Sequence, residues 1–142
     1  MKPNQSLHII TTLSILLLSL SLTQECYCTY SSCMSSLQVL LTGWAGFYLG
    51  GPMLTWFANP LLFLSWITIY NWRPASLITS LLATAICISF LFFNEIYNHN
   101  IEFTGKITDI KLGYWLWTSS AFVMLIGNVW LAFIKSQSNV LK

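Results

Sequence analysis

The longest apolar run in the chain, Leu37–Trp72, contains no charged residue. About 20 apolar residues span a bilayer core, so the run is too long for one crossing and too short for two crossings with a turn between them. Two interruptions divide it: Gly50-Gly51-Pro52 and Asn59-Pro60. The first combines backbone freedom with a missing amide donor, so it predicts a turn. The second is weaker punctuation, because proline is tolerated near the start of a membrane helix. The pattern predicts a half-helix over Leu37–Leu49, interfacial or re-entrant, followed by a turn and a span over Met53–Trp72.

Three further apolar runs predict spans over Leu7–Thr23, Ala75–Phe93 and Gly113–Ile134. The first has 17 residues, roughly 26 Å as a helix at 1.5 Å per residue. Its polar start and Ser/Thr-rich end also fit a signal peptide, but Ser21-Leu22-Thr23 is a poor small-x-small cleavage site, and a retained helix is expected. Arg73-Pro74 makes a tight hairpin between the second and third spans. Two polar segments, Gln24–Ser36 and Asn94–Leu112, are the expected external loops, and the loose alternation of Ile101–Ile110 allows a short hairpin. The fold class expected is an all-α integral membrane protein, with four transmembrane helices and one half-helix in a single domain over residues 1–142.

Composition sharpens this picture. Only 7% of residues are charged and 56% are hydrophobic, against about 25% charged in a soluble domain. The net charge of +2 and the lack of any basic run give no handle for nucleic acid. The bilayer is the expected partner. Tryptophans Trp44, Trp56, Trp72, Trp115, Trp117 and Trp130 are candidates for the headgroup layer, where amphipathic rings are favoured.

Four crossings put Lys2, Arg73, Lys135 and Lys142 on one side, which the positive-inside rule makes cytoplasmic. Both termini are then cytoplasmic, although Lys106 and Lys111 dilute the bias. The external side would hold Cys26, Cys28 and Cys33, where an oxidising space suits clustered cysteines. Within the third span Ser76, Thr79, Ser80, Ala83, Thr84 and Cys87 recur at helical spacing. Such a stripe of small side chains predicts close helix packing. Gly46-x-x-x-Gly50 has the same character, with packing inside one chain or homo-oligomerisation both open.

Few residues offer chemistry. Cys26-x-Cys28 is too close to bridge easily, so the expected disulfide joins Cys33 to Cys26 or Cys28. Free thiols and metal ligation remain open, but a metal would need more ligands than these three, and His99 is the one external histidine. Cys87 reads as a packing residue. No span holds an ionisable side chain away from its ends, which argues against a pump or coupled carrier. Asn59 and Asn128 are expected to bond neighbouring helices. A broken, Gly-rich half-helix is also how channels expose carbonyls, so an oligomeric pore or carrier is an alternative. No Ser/His/Asp set, HExxH or phosphate loop occurs, and no cofactor is expected.

External cysteines on four helices resemble, in architecture alone, the membrane enzymes that oxidise thiols and pass electrons to quinone; the CxxC pair of those enzymes is missing here. The run GWAGFYLGGPMLTWFANPLLFLSW, with LGYWLW later, resembles a pattern in small uncharacterised inner-membrane proteins of bacteria. That resemblance covers about a third of the chain. It implies that Trp44, Gly50, Gly51, Trp56, Asn59 and Pro60 form the distinctive feature of the fold, with Pro52 completing the turn. The function expected is that of a non-enzymatic accessory or interaction protein of the bacterial cytoplasmic membrane, possessing a membrane-protein partner or self-associating. The pore and the thiol-redox enzyme are the alternatives.

Overall fold

The computed structural model describes residues 3–45, 48, 51–97 and 104–140. Gly50 and His99 lie outside the described residues, as do Lys2, Gly46 and Lys142. Five α-helices are labelled in chain order: α1 (Pro3–Leu22), α2 (Ser36–Thr42), α3 (Ala58–Asn71), α4 (Arg73–Ser89) and α5 (Leu112–Val140). Four segments are long and apolar enough to cross a membrane: Gln5–Leu22, Gly51–Asn71, Arg73–Phe92 and Leu112–Ile134. These are the four runs that the hydropathy pattern marks.

Local rules set the ends of these elements. Helix α2 opens with a capping box: Ser35 Oγ accepts from the Gln38 N–H, and the Gln38 side chain accepts from the Ser35 N–H. Of the half-helix expected over Leu37–Leu49, the described part is α-helical to Thr42 and gives way at Gly43–Ala45 to a 3₁₀ turn, while residues 46, 47 and 49 lie outside the described residues. The reason is tertiary. The Trp56 indole lies where a side chain at Gly43 would go, and its N–H donates to the Leu40 carbonyl at 2.7 Å, taking up a group the helix end leaves open. Gly51 has φ 58°, a left-handed conformation that glycine adopts without steric cost. From there the second span starts as a 3₁₀ helix, Gly51–Phe57, before becoming α3. Asn59-Pro60 falls in the first turn of α3, where proline lacks no needed bond. Trp72 alone separates α3 from α4, with Pro74 in the first turn of the latter.

Within the bundle α1 packs along α5, α5 along α4, and α4 along α3. Every member of the small-residue stripe on α4 is buried: Ser76, Thr79, Ser80, Ala83, Thr84 and Cys87. One core cluster, including Leu62, Ile69, Ala83, Cys87, Ala121 and Met124, fills the body of the helix bundle.

The polar segments add something to the all-α frame. Strands β1 (Glu25–Thr29), β2 (Cys33–Ser35), β3 (Glu95–Tyr97) and β4 (Thr104–Ile110) form one antiparallel sheet in the order β2-β1-β4-β3. Strand β4 pairs with β3; of the hairpin expected over Ile101–Ile110, residues 101–103 lie outside the described residues. The sheet's central contact joins the two segments expected as separate loops, with Tyr27 opposite Ile110 and Cys28 opposite Asp109. This sheet closes the end of the bundle where α1 and α4 finish and α5 begins. A second core cluster under it, Cys26, Tyr27, Phe90, Ile96 and Tyr114, continues the bundle into the sheet.

Candidate functional site: the cavity beneath the sheet

A small cavity of about 40 Å³ lies where the sheet meets the bundle. Its walls come from the end of α1 (Leu18, Ser21), from β1 (Cys26, Tyr27), from α2 (Ser36, Leu40), from the 3₁₀ segment (Thr55, Trp56), and from Asn59, Phe90, Tyr114 and Trp117. Such a space holds about two or three waters. It is not a drug-sized pocket.

Most polar groups in the wall are already committed to protein partners. Ser21 Oγ donates to the Gly113 carbonyl at 2.7 Å, and Thr55 Oγ1 to the Pro52 carbonyl at 2.6 Å. Trp56 is held on Leu40. Asn59 bonds in both directions: its Nδ2 donates to the Trp56 carbonyl at 3.0 Å, and its Oδ1 accepts the Trp117 indole N–H at 2.8 Å. Tyr114, fully buried, donates to the Cys87 carbonyl at 2.8 Å. In the wall the buried hydroxyl of Ser36 has no hydrogen-bond partner, and the thiol of Cys26 is free. They face each other. Burial pushes the Cys26 thiol up to about 11, and the Ser36 hydroxyl beside it offsets only part of that rise. A thiol so far from ionisation is a poor nucleophile at neutral pH.

The cysteines divide by position. Cys28 and Cys33 are directly opposed on β1 and β2 and joined by a disulfide, with Cα atoms 3.9 Å apart. Cys26 is free and buried, and so is Cys87 within α4. Of the two pairings left open by the sequence, the register of the hairpin selects Cys28. An extra residue on β1 between Glu25 and Tyr27 turns Cys26 away into the cavity. A carboxylate oxygen of Glu25 and the sulfurs of Cys28 and Cys33 all lie within 4.8 Å of one another.

The aromatic candidates also separate. Trp44, Trp72, Trp115 and Trp130 are exposed on the outside of the fold, whereas Trp56 and Trp117 turn inward and spend their N–H groups in the cavity wall. Of the turn residues Asn59 lines the cavity, Pro52 touches its wall through the carbonyl that accepts from Thr55, and Gly51 and Pro60 are not in the wall.

Other polar contacts matter further down the bundle. Ser14 and Ser120 bond reciprocally, and Trp66 donates to Ser14 Oγ at 2.9 Å. Ser65 and Ser76 make a matching pair, to which Asn128 adds bonds to Ser76 and Ser80 at 3.0–3.2 Å. Asn59 and Asn128 thus bond neighbouring helices, as expected. Ser14, Ser65, Trp66 and Ser120 carried only a weak signal in the sequence, a lone hydroxyl or indole in an apolar helix.

No family model matches the chain, and no curated protein or solved structure matches it either.

Proposed function

We propose that this chain is a non-enzymatic accessory protein of a bacterial cytoplasmic membrane, with both termini cytoplasmic. Its sheet stands on the outer face for contact with another membrane or periplasmic protein. One observation carries this reading. The Asn128 amide, the Trp66 indole and the buried serines at the centre of the described spans tie helix to helix, in the Ser14–Ser120–Trp66 and Ser65–Ser76–Asn128 clusters, while hydroxyls such as Ser19, Thr68, Thr79 and Thr84 bond their own helix. Polar groups so engaged serve assembly of the bundle. What the bundle then presents to an aqueous partner is the disulfide-clipped sheet. The distribution of Lys and Arg supports the orientation, and the disulfide fits an oxidising outer compartment.

The test has two arms. Purified protein in liposomes should leave ion and small-solute permeability at the level of empty vesicles. A photo-crosslinking residue at exposed Tyr30, introduced in living cells, should trap one discrete partner. Flux that rises with protein density would establish the pore instead. Thiol oxidation that depends on added quinone would establish the redox enzyme.

A further inference from the structure

We propose that the β1–β2 hairpin, once its disulfide is reduced, is a binding site for a thiophilic divalent cation of the zinc class, with Glu25, Cys28 and Cys33 as protein ligands. Nothing in the accessory role requires this site, and the proposal does not depend on that role.

Cys28 and Cys33 are a cross-strand pair, so their side chains leave the same face of the hairpin. Reduction by a dithiol or phosphine breaks the S–S bond: the reductant supplies two electrons and is oxidised, to a cyclic disulfide or to the phosphine oxide. The two protons come from the dithiol or, with a phosphine, from the water that also gives the oxide its oxygen, and two thiols remain. The backbone still holds those thiols face to face. Two thiolates on one tetrahedral zinc, each at about 2.3 Å, stand about 3.8 Å apart. Opposed thiols relax to that separation by small side-chain rotations, without moving the strands. The Glu25 carboxylate, already within 4.8 Å of both sulfurs, supplies a third and harder ligand. Glu25 and Cys33 are solvent-exposed while Cys28 is buried, so the site is open to an ion on one side and walled on the other.

Charge and access complete the case. Lys111 stands close enough to Glu25 to feel its charge, but its ammonium is paired with Asp109 at 2.5 Å. Asp109 in turn sits in register opposite Cys28, so this end of the sheet is acidic on balance around the two sulfurs. Binding displaces the two thiol protons, and solvent completes the fourth position, as in open three-ligand zinc sites. Two thiolates and a carboxylate favour zinc or cadmium over magnesium or calcium, whose sites are built from oxygen. Sequence alone counts Cys26 among the ligands and overlooks Glu25. The fold reverses both, because Cys26 points into the cavity.

The test uses the full chain in detergent, reduced with a phosphine and titrated with cadmium. The expected result is an ultraviolet thiolate-to-cadmium charge-transfer band that saturates at one ion per chain and is displaced by zinc. Protein with the disulfide intact should show no such band. Cys33→Ser should abolish it, Cys26→Ser should keep it, and Glu25→Gln should weaken apparent affinity by about tenfold or more, as expected when one ligand of three is lost. Circular dichroism of each variant checks that the helices are retained, and alkylation after reduction confirms that Cys28 is reachable. A reduced wild-type chain without the band overturns the proposal. So does a band that survives Cys33→Ser, or an affinity indifferent to Glu25→Gln.

Discussion

Ser14 and Ser120 clasp each other across 106 residues of sequence, each hydroxyl donating to the other's carbonyl at 2.9 Å. The bond pair fastens α1 to α5, and the Trp66 indole N–H adds α3 by donating to the same Ser14 oxygen. Ser65 and Ser76 repeat the arrangement between α3 and α4. Between helices that gain nothing from hydrophobic burial in lipid, such contacts and close packing carry the association.

Removing the shared acceptor should therefore cost more than its size suggests. Ser14→Ala leaves the Trp66 N–H without its acceptor and takes the Ser14 hydroxyl from the Ser120 carbonyl, while the Ser120 hydroxyl keeps the Ser14 backbone carbonyl. We expect a loss of about 1–3 kcal/mol of unfolding free energy, measured by denaturant titration in mild detergent. Ser19→Ala is the control, since Ser19 bonds only its own helix at Ile15. Equal effects at both positions would show that the clasp adds nothing.

A second expectation concerns Gly113, the residue on which α5 meets the sheet. A methyl there would run into the Ser36 side chain and lie 2.5 Å from the Glu25 carbonyl oxygen, a backbone atom that cannot rotate aside. Gly127 is also crowded, but by the Ile10 side chain, which can. Gly113→Ala should cost about 1–3 kcal/mol or more, as overpacking does, and Gly127→Ala clearly less. Thermal melts of the two variants in detergent compare them directly.

The Asn59–Trp117 bond fixes the cavity wall. Asn59→Leu should strand the indole N–H and destabilise by about 1–2 kcal/mol, while the double variant with Trp117→Phe should recover part of that loss. A double-mutant cycle reads the coupling, and purely additive losses would mean that the two groups do not interact.

Cysteine chemistry gives the fourth test. Reduction of Cys28–Cys33 should lower stability by about 2 kcal/mol on loop-entropy grounds, small because the loop is short. Cys26 is buried and its thiol is pushed up to about 11, so at pH 8 roughly one molecule in a thousand carries a thiolate there. Native protein at pH 8 should therefore label at none of the three. A raised folded-state value means that stability is fully present below the unfolded value near 9 and is lost as pH rises toward about 11, so unfolding curves should shift down across that window. Burial also raises Tyr27, to about 12, which extends the same decline.

Topology is the fifth. A reporter active only in the cytoplasm should work after Arg73 and fail when inserted into the sheet at Lys106. Activity at Lys106 would remove the outer-face assignment.

What the sequence determined by itself is what depends on neighbours in the chain. The four spans follow from runs of apolar residues, and the burial of the α4 stripe follows from 3.6-residue spacing. The positive φ at Gly51 and the hairpin at Trp72 follow from glycine and proline. Asn59 and Asn128 were legible as interhelix bonds because an amide in lipid must find a partner. The tertiary structure alone decided the rest. β1 is short and finds its partner in β4, some 80 residues away, which no local pattern encodes. That pairing sets the register that joins Cys28 to Cys33, turns Cys26 inward and brings Glu25 beside the sulfurs. It also folds α5 against Ser36 and Asn59, so that Trp56 and Trp117 line a cavity while Trp115 stays outside. The physical reason is the same each time: hydropathy is a property of single residues and short windows, whereas strand register and side-chain partners exist only once distant segments share a surface.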